Sequence, residues 1–435
     1  MRFNNLFTTL YVFLVANSAL AIPAALSSVE TYSGEVNGKY IVQLKPGVSR
    51  KDWVSKLQLS KDTVEWDLIN GFSAQLTENA LNALRASGDV VVIAEDGYRI
   101  VNEVPEEEPT ATLHDDGPRD VVKNDVYFVQ RDAPWGLERI SQPGPLSTKS
   151  WDRSTFRYSW NEEYSGTGVD IFIIDSGIWR EHSDFKGRVR FGVNTYNPNV
   201  DNTDGVVTGT FTASSAAGDR WGVAKKANIV NVIAFYNDAY DKRHGTISQM
   251  ISALDWVAQE AKQTKRPAVA HIHTVRGSGY GPSTPLDNAA ASLVESGVHV
   301  VIGAGDDKQD IANSSYPSPA RVPSVITVAA SDINDSRADY SNFGVAVTLF
   351  APGAGIQCAD FPQGWGGNDP YGYTTRYGSS QASSYVSGII AHLISKEGNV
   401  TPTAMKSKLV KLAVKDALGA VPTGTPNLLA QLGPL

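Results

Sequence analysis

One cysteine in 435 residues, Cys358, rules out an intrachain disulfide. Stability must then come from an apolar core, and a chain of this length can bury one large enough. No neighbouring residue marks Cys358 as a thiol nucleophile, so a buried bystander is expected. Basic charge is scarce too. Lys and Arg number 38 against 46 Asp and Glu, a net charge of −8 with no basic stripe, which argues against a nucleic-acid partner. No stretch after the first residues is apolar for long enough to cross a bilayer, so no membrane partner is expected. Histidines number only seven. Two of them, His271 and His273, stand two apart on an expected strand and point the same way, as metal ligands can, but no third ligand accompanies them. No cofactor is expected.

What is present divides the chain. Residues 1–21 read as a secretory signal, with Arg2 at the positive start, Leu6–Val15 as the short apolar core and Ala19-Leu20-Ala21 as the cleavage site. A secreted, extracellular protein follows. Residues 35–104 alternate as β-α-β-β-α-β: strands at Lys39–Leu44, Val64–Leu68, Phe72–Leu76 and Val90–Ala94, and helices at Arg50–Leu59 and Glu78–Arg85. That order predicts a small α+β, ferredoxin-like domain. Residues 105–132 hold Glu106–Glu108 and Asp115-Asp116 and too little apolar surface to order themselves, so they read as an acidic linker.

Residues 133–435 form the large domain. Apolar, β-branched runs at Val169–Ile174, Ile229–Phe235, Val269–Val275, Val298–Ala304 and Val325–Ala330 alternate with helical stretches at Ile247–Ala261 and Leu286–Ser296. This pattern predicts an α/β fold, a doubly wound parallel sheet covered on both faces. Ligands bind beyond the carboxyl ends of such strands, where Asp175 and Asp306 fall. Near the end, Gly378-Ser-Ser380 leads straight into an apolar helical run. A glycine turn there sets the Ser380 hydroxyl at a helix N-terminus, where a developing negative charge is favoured.

Five motifs stand in a telling order: Asp175-Ser-Gly-Ile178 with His182 and Asp184-Phe185, Gly222-Val-Ala-Lys-Lys226, Ala351-Pro-Gly353, Gly378-Ser-Ser380 and Gly424-Thr-Pro-Asn-Leu-Leu429. The series resembles the subtilisin-like serine proteases, most closely the fungal proteinase K-like branch, with Ala133-Pro-Trp-Gly at the usual mature start. The small domain resembles that family's inhibitory propeptide, which lies in the substrate cleft of its own enzyme. The resemblance implies a monomeric, subtilisin-like hydrolase, made as a zymogen and acting on polypeptides through an aspartate, a histidine and a serine.

Asp175 matches the aspartate and Ser380 the nucleophile. Counting back from Gly222, however, sets Thr208 where the family has its histidine. The asparagine that helps bind the oxyanion is matched by Asp306, after Gly305. The substrate-binding Ser-Leu-Gly-Gly strand is matched by His271-Ile-His273-Thr-Val-Arg276-Gly277, which lines the cleft with bulk and charge. A family calcium ligand aligns with Thr348, so that site is not expected either. Arg243-His244-Gly245-Thr246 imitates the missing motif but falls where the family has a peptide-binding loop. His273 is the better surrogate base, although a structural imidazole is the commoner outcome. Sequons at Asn313, Asn334 and Asn399 predict a glycoprotein. The leading expectation is a secreted pseudoenzyme, a serine protease homologue that acts by binding. The alternative is an active secreted endopeptidase with a displaced base or an acid optimum.

Overall fold

The computed structural model describes residues 26–101, 113–114, 121–123, 127–150, 155–200, 208–237, 243–273, 281–311, 318–360 and 371–433. Its centre is a nine-stranded sheet in the order Val189–Asn194, Asn228–Ile233, Asp170–Asp175, Ala268–Ile272, His299–Gly303, Ile326–Ser331, Leu349–Pro352, Leu428–Leu429, Val414–Lys415. Every neighbouring pair is parallel except the last. From Asp170–Asp175 the chain goes to the edge strand Val189–Asn194, returns to fill the gap with Asn228–Ile233, and then crosses to the other side. Asp175 therefore ends a strand at a topological switch point, where a doubly wound sheet opens a crevice.

Side-chain alternation assigns the two faces. Ile171, Ile173, Val301 and Val328 pack with Tyr385, Val386, Ile389 and Ile390 of the helix Ser379–Glu397. Phe172, Ile174, Val230 and Ile302 face the opposite way, against the helices Ile247–Thr264 and Thr284–Glu295. Both faces are buried, which is why the strands read as unbroken apolar runs.

The small domain has the β-α-β-β-α-β order: Val36–Leu44, Arg50–Lys56, Val64–Trp66, Gly71–Ala74, Glu78–Ala86 and Val90–Val101. Ser49 and Thr77 cap its helices by accepting the N–H groups of Asp52 and Ala80. The first helix stops short of Leu59 because Gln58 turns left-handed, with φ 51°. The last strand runs well past Ala94 because its far end finds a partner: Tyr98–Val101 pairs antiparallel with Arg243–Thr246 of the large domain, His244 opposite Ile100. Side chains join the same interface. Trp66 Nε1 donates to Ser252 Oγ at 2.8 Å, and Asp255 Oδ1 accepts the N–H of Leu68 at 2.7 Å. Asp96 accepts both the N–H and the hydroxyl of Ser248, at 2.9 and 2.6 Å, in the first turn of Ile247–Thr264.

The linker expectation for residues 105–132 needs correction. Val121–Lys123 pairs with Phe128–Gln130, which in turn pairs with Tyr158–Trp160. Leu113–His114 joins Gly372–Arg376. The segment's acidic average hides short apolar runs such as Val121-Val122 and Phe128-Val129. They order by adding to existing edges rather than by forming a core.

Candidate functional site

Asp175 closes its strand fully buried, and its carboxylate is surrounded by donors. Oδ1 accepts the N–H of Ser176 at 2.7 Å and the hydroxyl of Thr208 at 2.5 Å. Thr208 begins the helix Thr208–Ala217 and is pinned from behind, since its own N–H donates to Ser176 Oγ at 3.0 Å. Oδ2 accepts Thr212 Oγ1 at 3.1 Å, and His273 Nδ1 also lies 3.1 Å away. That last approach is at ion-pair distance, with the ring N–H off the line of a regular hydrogen bond. Burial alone would raise the Asp175 carboxyl. The neighbouring His273 and the hydrogen bonds from Thr208 and Ser176 outweigh it and hold Asp175 well below the usual carboxylate range.

Ser380 is the second residue of the helix Ser379–Glu397. Gly378 ahead of it has φ 141°, which a side chain would resist, and donates its N–H to Gly353 O at 2.9 Å. The helix start has no side-chain cap from Gly378. Asp306 supplies one instead, its Oδ1 accepting the Ser379 N–H at 2.8 Å. Gly305, at φ 94°, turns the chain so that its own N–H donates to Ser379 Oγ at 2.9 Å. Asn342 fixes this loop through Ala304 O. Asp306 and the serine helix are thus tied directly.

His271 is buried, its Nδ1 3.4 Å from Ser387 Oγ and its Nε2 without a partner. Burial pushes its pKa down to about 3; Asp175 opposes this and His273 adds to it. His273 continues the strand by donating its N–H to Ile174 O at 3.0 Å and meets Phe235 edge-on. His182 uses both ring nitrogens structurally, toward Gly372 O and the Asp184 N–H. The backbone of His244 lies in the strand that pairs with the small domain. Arg276, Gly277 and Asn313 lie outside the described residues. Asn334 and Asn399 are exposed, and Asn399 Oδ1 meets His299 Nε2 at 2.9 Å.

Thr348 is buried, and its hydroxyl accepts the Thr327 N–H at 3.1 Å. A hydroxyl so engaged brings no carboxylate to a divalent cation, and the fit to calcium is poor. Among the described residues no group of three or more His, Cys, Asp or Glu could hold a metal ion, and no helix is long and apolar enough to cross a membrane.

The structure brings together Asp175, Thr208 and His273 at one carboxylate, and Gly305, Asp306 and Ser379 beside Ser380. Sequence reasoning missed Ser176, Thr212 and Ser387. Thr212 was legible in principle, because it stands four residues after Thr208 on the same helix face.

A sequence model of the subtilase family matches residues 166–431. The cuticle-degrading protease of Metarhizium anisopliae is 33% identical over the full length of both chains. Subtilisin-like serine protease Pen ch 13 of Penicillium rubens is 38% identical over 73% of this chain and 72% of its own. Among solved structures, a cold-adapted subtilisin-like serine proteinase superposes with a TM-score of 0.58 at 33% identity, covering 69% of this chain and 98% of that one. Fervidolysin from Fervidobacterium pennivorans, at 20% identity and a TM-score of 0.66 over 94% of this chain and 62% of its own, shares the fold.

Proposed function

We infer that this chain, which belongs to the subtilase family, is a subtilisin-like serine protease homologue with impaired acyl transfer, acting mainly by holding polypeptide. The observation that carries this reading is the 2.5 Å hydrogen bond from Thr208 to Asp175. It puts a hydroxyl against the carboxylate where the family's mechanism needs an imidazole. A threonine hydroxyl accepts no proton near neutrality, so it cannot turn Ser380 into a nucleophile. In a subtilisin, removing that histidine alone costs on the order of 10⁶ in kcat.

Asp306 supports the same conclusion. Ionised, it accepts the Ser379 N–H and offers no donor to an oxyanion, a loss of about 10²–10³ in kcat. The small domain fits the role of a propeptide held in place, since its last strand pairs with Arg243–Thr246, its Asp96 accepts from Ser248 at the start of the helix Ile247–Thr264, and its Leu68 N–H donates to Asp255 of that helix. Secretion follows from residues 1–21 and glycosylation from the sequons. No cofactor enters the proposal.

The test is hydrolysis and binding of casein by the purified chain. Fluorescent casein should bind, as read by anisotropy, with little cleavage. Rapid cleavage that disappears in Ser380→Ala would overturn this reading.

A further inference from the structure

We propose that the proton acceptor for Ser380 has moved rather than vanished: His273, oriented by Asp175, is the general base. The proposal rests on reading Ser380 as the nucleophile of a subtilase site. It concerns the first step of acyl transfer, which impairment slows but need not abolish.

Three relations place His273. The first is the 3.1 Å approach of its Nδ1 to Asp175 Oδ2, from the strand beside Asp175. Nδ1 is the ring nitrogen beside the carboxylate, and although its N–H lies off the hydrogen-bond line, the nearby negative charge favours the proton there and leaves the lone pair on Nε2. The second is its face. His271, two residues earlier on the same side of the strand, reaches Ser387 of the serine helix at 3.4 Å. That helix starts at the carboxyl ends of the strands and runs back along them. Two strand residues advance about 6.7 Å, equal to between four and five helical residues. His273 is therefore level with Ala382 and Ser383, within one turn of Ser380. The third is the neighbouring strand. Ile272 is in register with Ile302, so His273 is level with Gly303, and Gly305 already touches Ser379 through a 2.9 Å hydrogen bond. These constraints converge on the first turn of the serine helix.

The site then runs as follows. Nε2 of His273 takes the proton as Ser380 Oγ forms a bond to the substrate carbonyl carbon, whose π pair moves to oxygen. When that pair returns, the C–N bond breaks and the Nε2 proton goes to the leaving amine. Asp175 stabilises the imidazolium without itself being protonated. Asp306 disfavours the oxyanion, so the step is slow even with a base in place.

The full chain is treated with a small fluorophosphonate, and phosphonylation of Ser380 is followed by mass spectrometry. Here Oγ bonds to phosphorus, fluoride leaves, and the proton passes to His273. Labelling is expected in the wild type, absent in Ser380→Ala, and at least about 100-fold slower in His273→Ala and His273→Gln. Without any substitution, the wild-type rate should fall in D2O because a proton moves in the step. No wild-type labelling, a rate unchanged in D2O, or His273 variants that melt normally and label at the wild-type rate would each overturn the proposal. Labelling that ignores His273 leaves the impairment reading intact. Fast casein cleavage that depends on His273 would do the reverse.

Discussion

Asp306 Oδ1 accepts the Ser379 N–H at 2.8 Å, so a carboxylate of the chain itself closes the start of the helix that carries Ser380. The arrangement suits stability, because an anion at a helix N-terminus contributes about 0.3–1 kcal/mol. In the site we propose it suits catalysis badly, because that end of the helix would receive the charge of an oxyanion. Asp306→Asn separates the two roles. The amide oxygen can still accept the Ser379 N–H, while the amide nitrogen adds a donor and the negative charge is gone. Hydrolysis of a peptide anilide is expected to rise by about 10²-fold, with a slightly lower Tm. No rise would remove Asp306 from the account of impairment.

Thr208 presents a different obstacle. It is almost fully buried, clasped by Ser176 and hydrogen-bonded to Asp175, so Thr208→His has little room and must share its carboxylate with His273. Anilide hydrolysis should recover only in part. Combined with Asp306→Asn, the gain should exceed that of either single change by about tenfold or more, since each supplies what the other lacks. Full recovery in Thr208→His alone would mean that the oxyanion side was never limiting.

The sheet was legible because both of its faces are buried: runs such as Ile171–Ile174 and Val300–Ile302 have no polar alternative to strand. Asp175 and Ser380 were singled out by motif spacing, and Thr208 by counting back from Gly222. The pairing of His273 with Asp175 was not. It depends on register between two strands about a hundred residues apart, Ile174 opposite Ile272, which no local pattern encodes. The cap by Asp306 was hidden for a similar reason, since a loop residue meets a helix that begins some seventy positions later. The ordered strands within residues 105–132 escaped because composition is an average, whereas edge pairing needs only two or three suitable residues.

The junction between the small and large domains is built in rather than left open. Phe128–Gln130 pairs on both sides, Gln130 and Ala133 are buried, and the Ala133 N–H donates to Phe156 O at 3.2 Å. Cleavage there would need local opening as well as a working nucleophile. N-terminal sequencing of the purified protein should therefore find the small domain still attached. A new N-terminus near Gln130–Ala133 in the wild type but not in Ser380→Ala would reveal self-cleavage and undercut the impairment reading. The same N-terminus in both would assign the cut to another protease.

Buried histidines make acid the weak side of this fold. Burial pushes His271 down to about 3 and, with Lys396 adding, His392 down to about 4, against an ordinary value near 6.5. Both folded values are depressed, so the unfolded chain binds these protons first. The contribution is complete above about pH 6.5 and drains away as pH falls toward 4 and 3. At one proton each, the loss by pH 5 is about 2 kcal/mol per histidine. Asp175, also depressed, keeps its contribution until the pH drops below about 4, and so cannot explain a loss that starts earlier. Urea midpoints measured from pH 7.5 to 4.5 should begin to fall near pH 6.5, and His392→Leu should flatten that fall. A midpoint that holds steady down to pH 4.5 would mean that these imidazoles reach water, or each other, before they protonate.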